Sequence, residues 1–590
     1  MCGIFCAVAR HGCHVVPSST VKQRLLARGP DASKEILFTV GGASGNDVVS
    51  LTLFSTVLSL RGPVTTEQPF QQHGSSDSAL CWNGEAWNIR RQRLDENDND
   101  TAAVHELLCL ALCPLGQSET RLQESAVASA CTVSRTLAQI SGPYAFVYYH
   151  KHTSRLFFGR DFLGRRSLLW KVGQHGELLL SSIGDGSLDG SWTEVEADGI
   201  YCIDLNSASD AAALPTADET SAISIDPRVF KVPYTVSHAS DDTTSVIPLL
   251  SLNRNVPQIH RLHECSPSVS TLGDLLRQSL LPRTRGIPLD QPADQSVHRN
   301  ARIAVLFSGG LDCTLLARLC HDLLPLEATI DLLNVAFQNP RAHKNAGDGA
   351  YELCPDRITG RASHAELLKV CPGRNWRFVA IDIPYTEYQD HRAQVIDLIS
   401  PHNTEMDLSI ASALYFAARG RGQAASLESG EVIPYTTQAR ALLSGLGADE
   451  LFAGYTRHAT AFRRQGFKGL LDELSLDVGR LGKRNLGRDD RVISHWAREA
   501  RFPFLDEAVV QWALNCPISD KCDFGAVEAS IDSIDENTCA TIESGKKVLR
   551  CLAWRLGMKG VAQEKKRAIQ FGARTAKMET GKTKGTSLLS

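Results

Sequence analysis

The chain opens Met1-Cys2-Gly3-Ile4-Phe5, "MCGIF" over residues 1–5, and the reading of Cys2 decides the fold of the whole N-terminal part. Removal of Met1 would leave a residue that carries both a thiol and a free α-amine. An α-amine titrates at roughly 7.7–8.0, so a useful fraction is neutral near pH 7. It can take the thiol proton and later protonate a leaving amine, so one residue supplies nucleophile and base. A small second residue also suits methionine removal. Against this stands the bland reading: the chain has 17 cysteines, most of which read as buried reduced thiols.

Three other stretches bear on Cys2. "LSLRGPVTTEQPF" (58–70) sets Arg61 just after an apolar strand, where a guanidinium can clamp a carboxylate bidentately. "CWNGEAWN" (81–88) puts Asn83 and Gly84 in a turn; a side-chain amide and a glycine N–H are natural oxyanion donors. "ENDNDTAAV" (96–104) places Asp100 at a helix start, either as a plain N-cap or as a partner for a substrate ammonium. Together these residues describe a site for an α-amino acid with a side-chain carbonyl. Arg61 would hold its carboxylate and Asp100 its amine, while Cys2 attacks. Glutamine fits.

"MCGIF", "LSLRG", "WNGE", "NDT" and "FGRDFLGRRSLLW" (158–170) resemble the class II glutamine amidotransferase domain, over about residues 1–190. The resemblance implies an N-terminal-nucleophile αββα sandwich of α+β class. It also implies that Arg61, Asn83, Gly84, Glu85 and Asp100 bind glutamine. Gly62, Pro63 and Val64 depart from the Leu-Ser-Ile that commonly follows the arginine.

The pattern along the chain agrees. "LTLFSTVLSL", "YAFVYYH", "RLFFGRD", "SLLW" and "ELLLSSI" are short apolar runs broken by turn residues, as stacked antiparallel strands require. "TAAVHELLCLALC" and "ESAVASACTVSRTLAQI" have helical periodicity. Residues 205–300 are small and polar in "SASDAAALPTADETSAIS" and "SHASDDTTS", and read as linker and surface excursion. "PSVSTLGDLLRQSLLPR" (267–283) begins a helix before the next domain, which is expected over 286–578. There, strands "RIAVLF", "TIDLLNVAF", "RFVAIDIP" and "ARALLSGL" alternate with helices, which implies an α/β parallel sheet. Residues 579–590 read as a disordered tail.

"VLFSGGLDC" (305–313) follows the first of those strands and opens a helix. Its glycines allow close backbone approach, and helix N-terminal amides with the Ser308 hydroxyl can bind a pyrophosphate. Asp312 could hold Mg²⁺ against those oxygens. The alternative is an ordinary strand–turn–helix junction. No Gly-Lys-Ser/Thr follows, so this is not a Walker A loop.

It resembles the loop of ATP pyrophosphatases. "LLSGLGADELFAGY" (442–455), "REARFPFLD" (498–506), "PHNTEMDLSIASALYFAA" (401–418) and "EKKRAIQFG" (564–572) resemble further segments of that fold. The resemblance implies ATP and pyrophosphate binding by Phe307, Ser308, Gly309, Gly310, Asp312, Cys313, Val335, Ser444, Gly445 and Asp449. It implies Mg²⁺ on Asp312 and Asp449. It also implies that Lys566, or its neighbour Lys565, neutralises developing phosphate charge.

Glutaminase followed by synthetase resembles the glutamine-hydrolysing asparagine synthetases. The implied reaction adenylates aspartate with ATP, and ammonia from glutamine then displaces AMP to give asparagine. Two substitutions depart from that pattern. Cys313 stands where a serine is common. Leu446, in "SGLGADE", stands where the family has a glutamate associated with forming aspartyl-AMP. Leucine can neither hydrogen-bond nor transfer a proton. The alternatives are therefore a glutaminase with an impaired synthetase half, an amidotransferase with another acceptor, or a non-enzymatic binding protein on this fold.

A net charge of −4 over 590 residues argues against general nucleic-acid or membrane-surface binding. No apolar run reaches bilayer length and no secretory signal is evident, so a cytoplasmic protein is expected, with small-molecule substrates and a homodimer as an open possibility. His11, Cys13 and His14 have no second ligand cluster downstream, and Cys109 and Cys113 lack zinc-site spacing.

Overall fold

The computed structural model describes residues 1–10, 12–41, 48–72, 78–112, 125–186, 192–206, 229–234, 245–256, 261–287, 300–342, 347–426, 429–526, 539, 542–578 and 584–589. Residues 207–228, 235–244, 257–260 and 288–299 of the expected linker lie outside them. So do residues 579–583 and 590 of the expected tail, and also His11 and Cys113. The chain forms two compact units. One comprises Met1–Ile247 with Gly482–Arg491, and the other comprises Pro248–Leu481 with Val492–Ser590.

The first unit stacks two antiparallel sheets. The six-stranded sheet runs, in spatial order, Thr193–Glu194, Leu169–Val172, Leu178–Ser181, Gly3–Arg10, Val49–Val57 and Ala32–Val40. The five-stranded sheet runs Val229–Pro233, Gly199–Asp204, Arg155–Arg160, Tyr144–His150 and Ala79–Gly84. Side chains alternate across a strand, so Ile4, Cys6 and Val8 point into the core between the sheets. There they join Val147, Tyr149, Leu156, Phe158 and Tyr201 of the other sheet. The opposite face of the first strand meets the helix Ser19–Arg28: a Cβ on Gly3 would lie 2.9 Å from Leu25 Cδ2. Helices Asp100–Leu112 and Ala126–Leu137 pack on the second sheet. This is an αββα sandwich, the layering that two one-sided sheets need to bury their remaining faces.

The sandwich reaches past residue 190. The strand Val229–Pro233 pairs with Gly199–Asp204, and Tyr234 Oη donates to Arg160 O at 2.5 Å. Part of the stretch that reads as linker is thus sheet. The polar sequence on either side hides this short edge strand, whose residues Val229–Pro233 are half-buried or exposed.

The second unit centres on a seven-stranded sheet in the order Val432–Thr436, Arg421–Ala425, Trp376–Ile383, Ile330–Phe337, Ile303–Leu306, Ala441–Leu443 and Glu499–Arg501. The last five are parallel, and the first two form an antiparallel ribbon on the Trp376–Ile383 edge. From Ile303–Leu306 the chain moves to the neighbour on one side, and it returns only at Ala441–Leu443 on the other. That reversal is a topological switch point, where the loops after adjacent strands splay and leave a crevice at their carboxyl ends. Phe307–Gly310 and Ser444–Gly447 are those two loops. The helix Pro267–Thr284 packs on the helix Leu311–Leu323, so it belongs to this unit. Within the expected tail, Glu405 N donates to Ser587 O at 3.0 Å and Met406 N to Gly585 O at 2.9 Å. Backbone N–H groups at the start of the helix Glu405–Arg419 thus give residues 584–589 a place. Among the described residues no helix is long and apolar enough to cross a membrane.

Leu180 is fully buried between the two sheets of the sandwich. Leu180→Ala should lower the stability of the first unit by about 2–5 kcal/mol, read as a shift of its transition in urea unfolding.

Candidate active sites

Antiparallel pairing decides where Cys2 sits. Gly3 lies opposite Thr56, so the start of the first strand is beside the end of Val49–Val57. Gly3 N donates to Thr56 Oγ1 at 3.1 Å, and Thr56 Oγ1 donates to Leu25 O at 2.7 Å, fastening the residue after Cys2 to both strand and helix. The chain leaving Val57 carries Arg61 and Gln68. Asn83 and Gly84 end the strand Ala79–Gly84, and Asp100 begins the next helix. Met1 and Cys2 are both buried.

Gln68 is buried and its amide is fully directed: Oε1 accepts from Trp82 N at 2.7 Å, and Nε2 donates to Thr101 Oγ1 at 3.2 Å and faces Cys2 Sγ at 3.7 Å. It faces the Cys2 sulfur, and no sequence signal marks it, because a glutamine in "TTEQPF" looks like any loop residue. Asp100 Oδ2 accepts from Trp82 Nε1 and from Ala86 N, each at 3.0 Å. Burial raises the Asp100 carboxyl above its usual range, opposed by those hydrogen bonds and by the Arg61 charge. A substrate ammonium would relieve that cost.

Most of the Arg61 donors are taken by the protein itself. Its Nε donates to Asp98 O at 2.8 Å, and NH2 donates to Leu94 O at 2.9 Å and Asp95 O at 2.6 Å. NH1 lies 3.5 Å from Ala86 O and 3.9 Å from Glu85 Oε2. Arg61 therefore holds the loop 94–98, and NH1 has the longest of its contacts. Gly84 is packed so tightly that a Cβ would lie 2.4 Å from Pro143 O.

Asn83 stands out. It is fully buried, and neither its amide oxygen nor its amide nitrogen has a hydrogen-bond partner. A buried unpaired amide costs about 1–3 kcal/mol, and few survive in a native fold without a use.

The second site forms at the switch point. Gly310 caps the helix Leu311–Leu323. Gly309 sits at φ +79°, and a Cβ there would lie 2.4 Å from Gly360 N on the helix Pro355–Val370. Ser363 Oγ donates to Gly309 O at 2.6 Å, and Asn334 Nδ2 donates to Phe307 O at 2.9 Å. "PDRITGRASHAEL" is therefore the helix that backs the loop. Cys313 supports it from inside: its buried Sγ donates to Gly310 O at 3.3 Å and lies 3.6 Å from Ser308 Oγ. Val335 is buried on the neighbouring strand. Gly445 brings the second motif against the first, since a Cβ on it would lie 2.8 Å from Asp312 Cβ. Ser444 N donates to Arg501 O at 2.9 Å, and Leu446 N to Ser444 Oγ at 3.3 Å.

Asp312 and Asp449 converge on one ammonium. Lys546 Nζ lies 2.6 Å from Asp312 Oδ2 and 2.7 Å from Asp449 Oδ1. Lys566 Nζ pairs with Asp449 Oδ2, and Lys565 is exposed. Burial opposes the Asp449 charge, but Lys546 and Lys566 together hold its carboxyl well below the usual range. Gly454 makes room, as a Cβ there would lie 2.1 Å from Lys546 Cε and 2.2 Å from Asp449 Oδ1. Lys546 escapes sequence reading because "SGKKVLR" resembles a solvated basic run, yet this lysine is buried at φ +54°.

Among the described residues no group of three or more His, Cys, Asp or Glu side chains is arranged as a metal site. Asp312 and Asp449 flank the Lys546 ammonium. Asp312 Oδ1 is buried with no hydrogen-bond partner, and a carboxylate oxygen of that kind is a donor a hard cation could take.

A nucleophile sandwich followed in one chain by a parallel sheet of ATP-pyrophosphatase type defines an asparagine-synthetase-like protein. The chain matches the glutamine amidotransferase domain family over residues 1–201 and the asparagine synthase family over residues 468–584. It belongs to the family of asparagine synthetase domain-containing proteins. It is 32% identical to "Asparagine synthetase domain-containing protein 1" of Mus musculus, over 99% of this chain and 98% of that one, and 33% identical to the protein of that name from Homo sapiens, over 98% and 96%. "Putative asparagine synthetase [glutamine-hydrolyzing] 1" of Methanocaldococcus jannaschii is 29% identical over 51% of this chain and 49% of that one. Among solved structures, a glutamine phosphoribosylpyrophosphate amidotransferase from B. subtilis aligns with 72% of this chain and 94% of its own at 12% identity, with a TM-score of 0.28.

Lys546→Met should cost up to about 3 kcal/mol at pH 7, because it leaves Asp312 and Asp449 buried with one cation fewer. Asp449, held below its unfolded value, stabilises the fold above the ordinary carboxylate range and loses that contribution as pH falls through its depressed value. The gap between variant and native chain should therefore be full at neutral pH and shrink in acid, read by urea unfolding at several pH values.

Proposed function

We propose that the chain is a glutamine-dependent amidotransferase of the asparagine synthetase type. The observation that carries this reading is the buried Asn83 amide, without a hydrogen-bond partner at the end of the strand next to the Cys2 site. Such an amide is stable in a folded site when a substrate oxygen completes it, and an oxyanion does so best.

With Met1 removed, the Cys2 α-amine takes the thiol proton, and Sγ attacks the side-chain carbonyl carbon of glutamine. The oxyanion forms against the Asn83 amide and the Gly84 N–H. The α-amine then protonates the leaving nitrogen, ammonia departs, and water hydrolyses the thioester to release glutamate. Gln68 holds the sulfur in line. Asp100 meets the glutamine ammonium, with Glu85 beside it, and Arg61 NH1 meets the carboxylate.

In the second unit, Phe307, Val335, Ser444 and Gly445 take the nucleotide. The Ser308–Gly310 backbone and the helix N-terminus take the pyrophosphate. Asp312 and Asp449 would hold Mg²⁺, which supplies charge neutralisation on the phosphate oxygens. The β-carboxylate of aspartate attacks the α-phosphorus, and pyrophosphate leaves against Lys546 and Lys566. Ammonia then attacks the activated carbonyl, releasing AMP and asparagine.

Leu446 favours a second reading, in which glutamine is hydrolysed and aspartate is adenylated poorly or replaced by another acceptor. The nearby Glu450 is buried, is raised above its usual range by burial and by Asp449, and accepts from Tyr455 Oη at 2.6 Å.

The test incubates the chain with labelled glutamine, Mg-ATP and aspartate and measures glutamate, pyrophosphate and asparagine separately, with Met1 removal checked by intact mass. All three products are expected. Glutamate without pyrophosphate would overturn the synthetase step, and a Leu446→Glu variant that regained pyrophosphate would locate the loss. No glutamate from a processed chain would overturn the amidotransferase itself. Asn83→Ala should lower glutaminase kcat by about 10²–10³-fold with a smaller change in KM.

A further inference from the structure

We infer that Asp490 is a positioning residue for the Cys2 nucleophile, acting through Arg28; the role rests on the amidotransferase reading above. Arg28 ends the helix Ser19–Arg28 and is fully buried. Its fork points two ways. Nε faces the Cys2 carbonyl oxygen at 3.5 Å, and NH2 donates to Asp490 Oδ2 at 2.9 Å. Asp490 is itself fully buried, and its Oδ2 also accepts from Ser167 N at 3.1 Å, while Oδ1 lies 3.9 Å from Arg166 NH1.

The segment that carries Asp490 is fixed in turn. Arg491 NH1 donates to Ser167 Oγ at 2.8 Å and to Glu194 Oε1 at 2.7 Å, and the other oxygen of Glu194 accepts from Arg160 NH1 at 2.8 Å. Residues 482–491 thus fold with Met1–Ile247, although Asp490 lies 462 residues beyond Arg28 and inside the span that matches the asparagine synthase family.

The consequence concerns the reacting residue. Once Met1 is gone, Cys2 has no preceding peptide, so the Cys2–Gly3 peptide is the only covalent anchor for thiol and amine. That peptide is held from both sides: its N–H by Thr56 Oγ1 at 3.1 Å, and its carbonyl by Arg28. A guanidinium is planar, so a carboxylate that fixes one edge fixes the direction of the others. Asp490 therefore sets the plane from which Nε reaches the Cys2 carbonyl. The contact is long for a hydrogen bond, as catalytic contacts often are without substrate. Misplacing a reacting group by about 1 Å can cost about 10²-fold in rate.

The test uses the full-length chain with processed N-terminus, assayed for glutamate release from glutamine. Active sites are counted by labelling with 6-diazo-5-oxo-L-norleucine. For Asp490→Asn the expected result is kcat lowered about tenfold or more per labelled site, with KM within about twofold. If removing the charge leaves Arg28 and Arg166 under-compensated and the variant does not fold, Arg28→Lys decides. It keeps the charge opposite Asp490 and loses the fork, and the same kcat-only loss is expected. A folded Asp490→Asn with kcat per site within twofold of the native chain overturns the inference and leaves the amidotransferase reading standing, as does an unaffected Arg28→Lys where the first variant does not fold. A processed native chain that releases no glutamate overturns that reading, and this role falls with it.

Discussion

A charge withdrawn from water must be met by an opposite charge or by hydrogen bonds, and that constraint assembles both halves of this protein. In the second unit it draws Asp312 and Asp449, from two motifs well apart in sequence, onto the single ammonium of Lys546. In the first unit it draws Asp490 back to Arg28 and Arg166, and Glu194 to Arg160 and Arg491. Breaking one member of such a set leaves another buried and uncompensated, a penalty of several kcal/mol. The sets therefore fix geometry more than they add net stability. Fixed geometry is what a site needs when its reacting groups come from four or five separate stretches of chain.

The fold was legible wherever it rests on periodicity. The short apolar runs "LTLFSTVLSL" and "YAFVYYH" announce strands, and Val49–Val57 and Tyr144–His150 are buried along their whole length; "RIAVLF" ahead of "SGG" announces the strand and loop at the switch point. The readings that ended too early did so at short edge elements set in polar sequence and at a charged run. Val229–Pro233 is a half-exposed edge strand inside polar sequence. The ribbon Arg421–Ala425 with Val432–Thr436 is also largely exposed and gives the otherwise parallel sheet an antiparallel margin. Gly482–Arg491 joins the first unit through buried ion pairs, and a charged run reads in sequence as a solvated surface.

The sites divide along the same line. Cys2, Asn83, Asp100, Asp312 and Asp449 are legible because each sits in a short motif whose neighbours restrict its role. Gln68 and Lys546 are not, because an amide in a loop and a lysine beside another lysine have no local mark. Their importance comes from what the tertiary fold places beside them: Cys2 Sγ for one, two carboxylates for the other. Arg61 is an intermediate case. The residue is where the motif puts it, but three carbonyls of the 94–98 loop take its Nε and NH2 donors. Its position could be read from the chain; its hydrogen bonds depend on a loop conformation that no spacing encodes.

Leu446 matters because of what surrounds it. The loop carrying it keeps its backbone geometry, with Gly447 at φ +100° and Leu446 N bonded to Ser444 Oγ. Gly445 keeps its close approach to Asp312, and the four side chains Asp312, Lys546, Asp449 and Lys566 are joined by ion pairs. The parts that would bind ATP and receive pyrophosphate therefore do not depend on the acid at position 446. A glutamate there would act on the acceptor, by polarising it or by accepting a hydrogen bond from it. Leucine offers a hydrocarbon surface instead, which disfavours a charged acceptor and tolerates one with an apolar flank. On the proposed reading, the substitution would bear on which carboxylate is activated more than on whether ATP can bind. The contacts around Cys2 all lie within the first unit: Gln68 faces its Sγ, Arg28 faces its carbonyl oxygen, and Thr56 takes the N–H of the residue that follows.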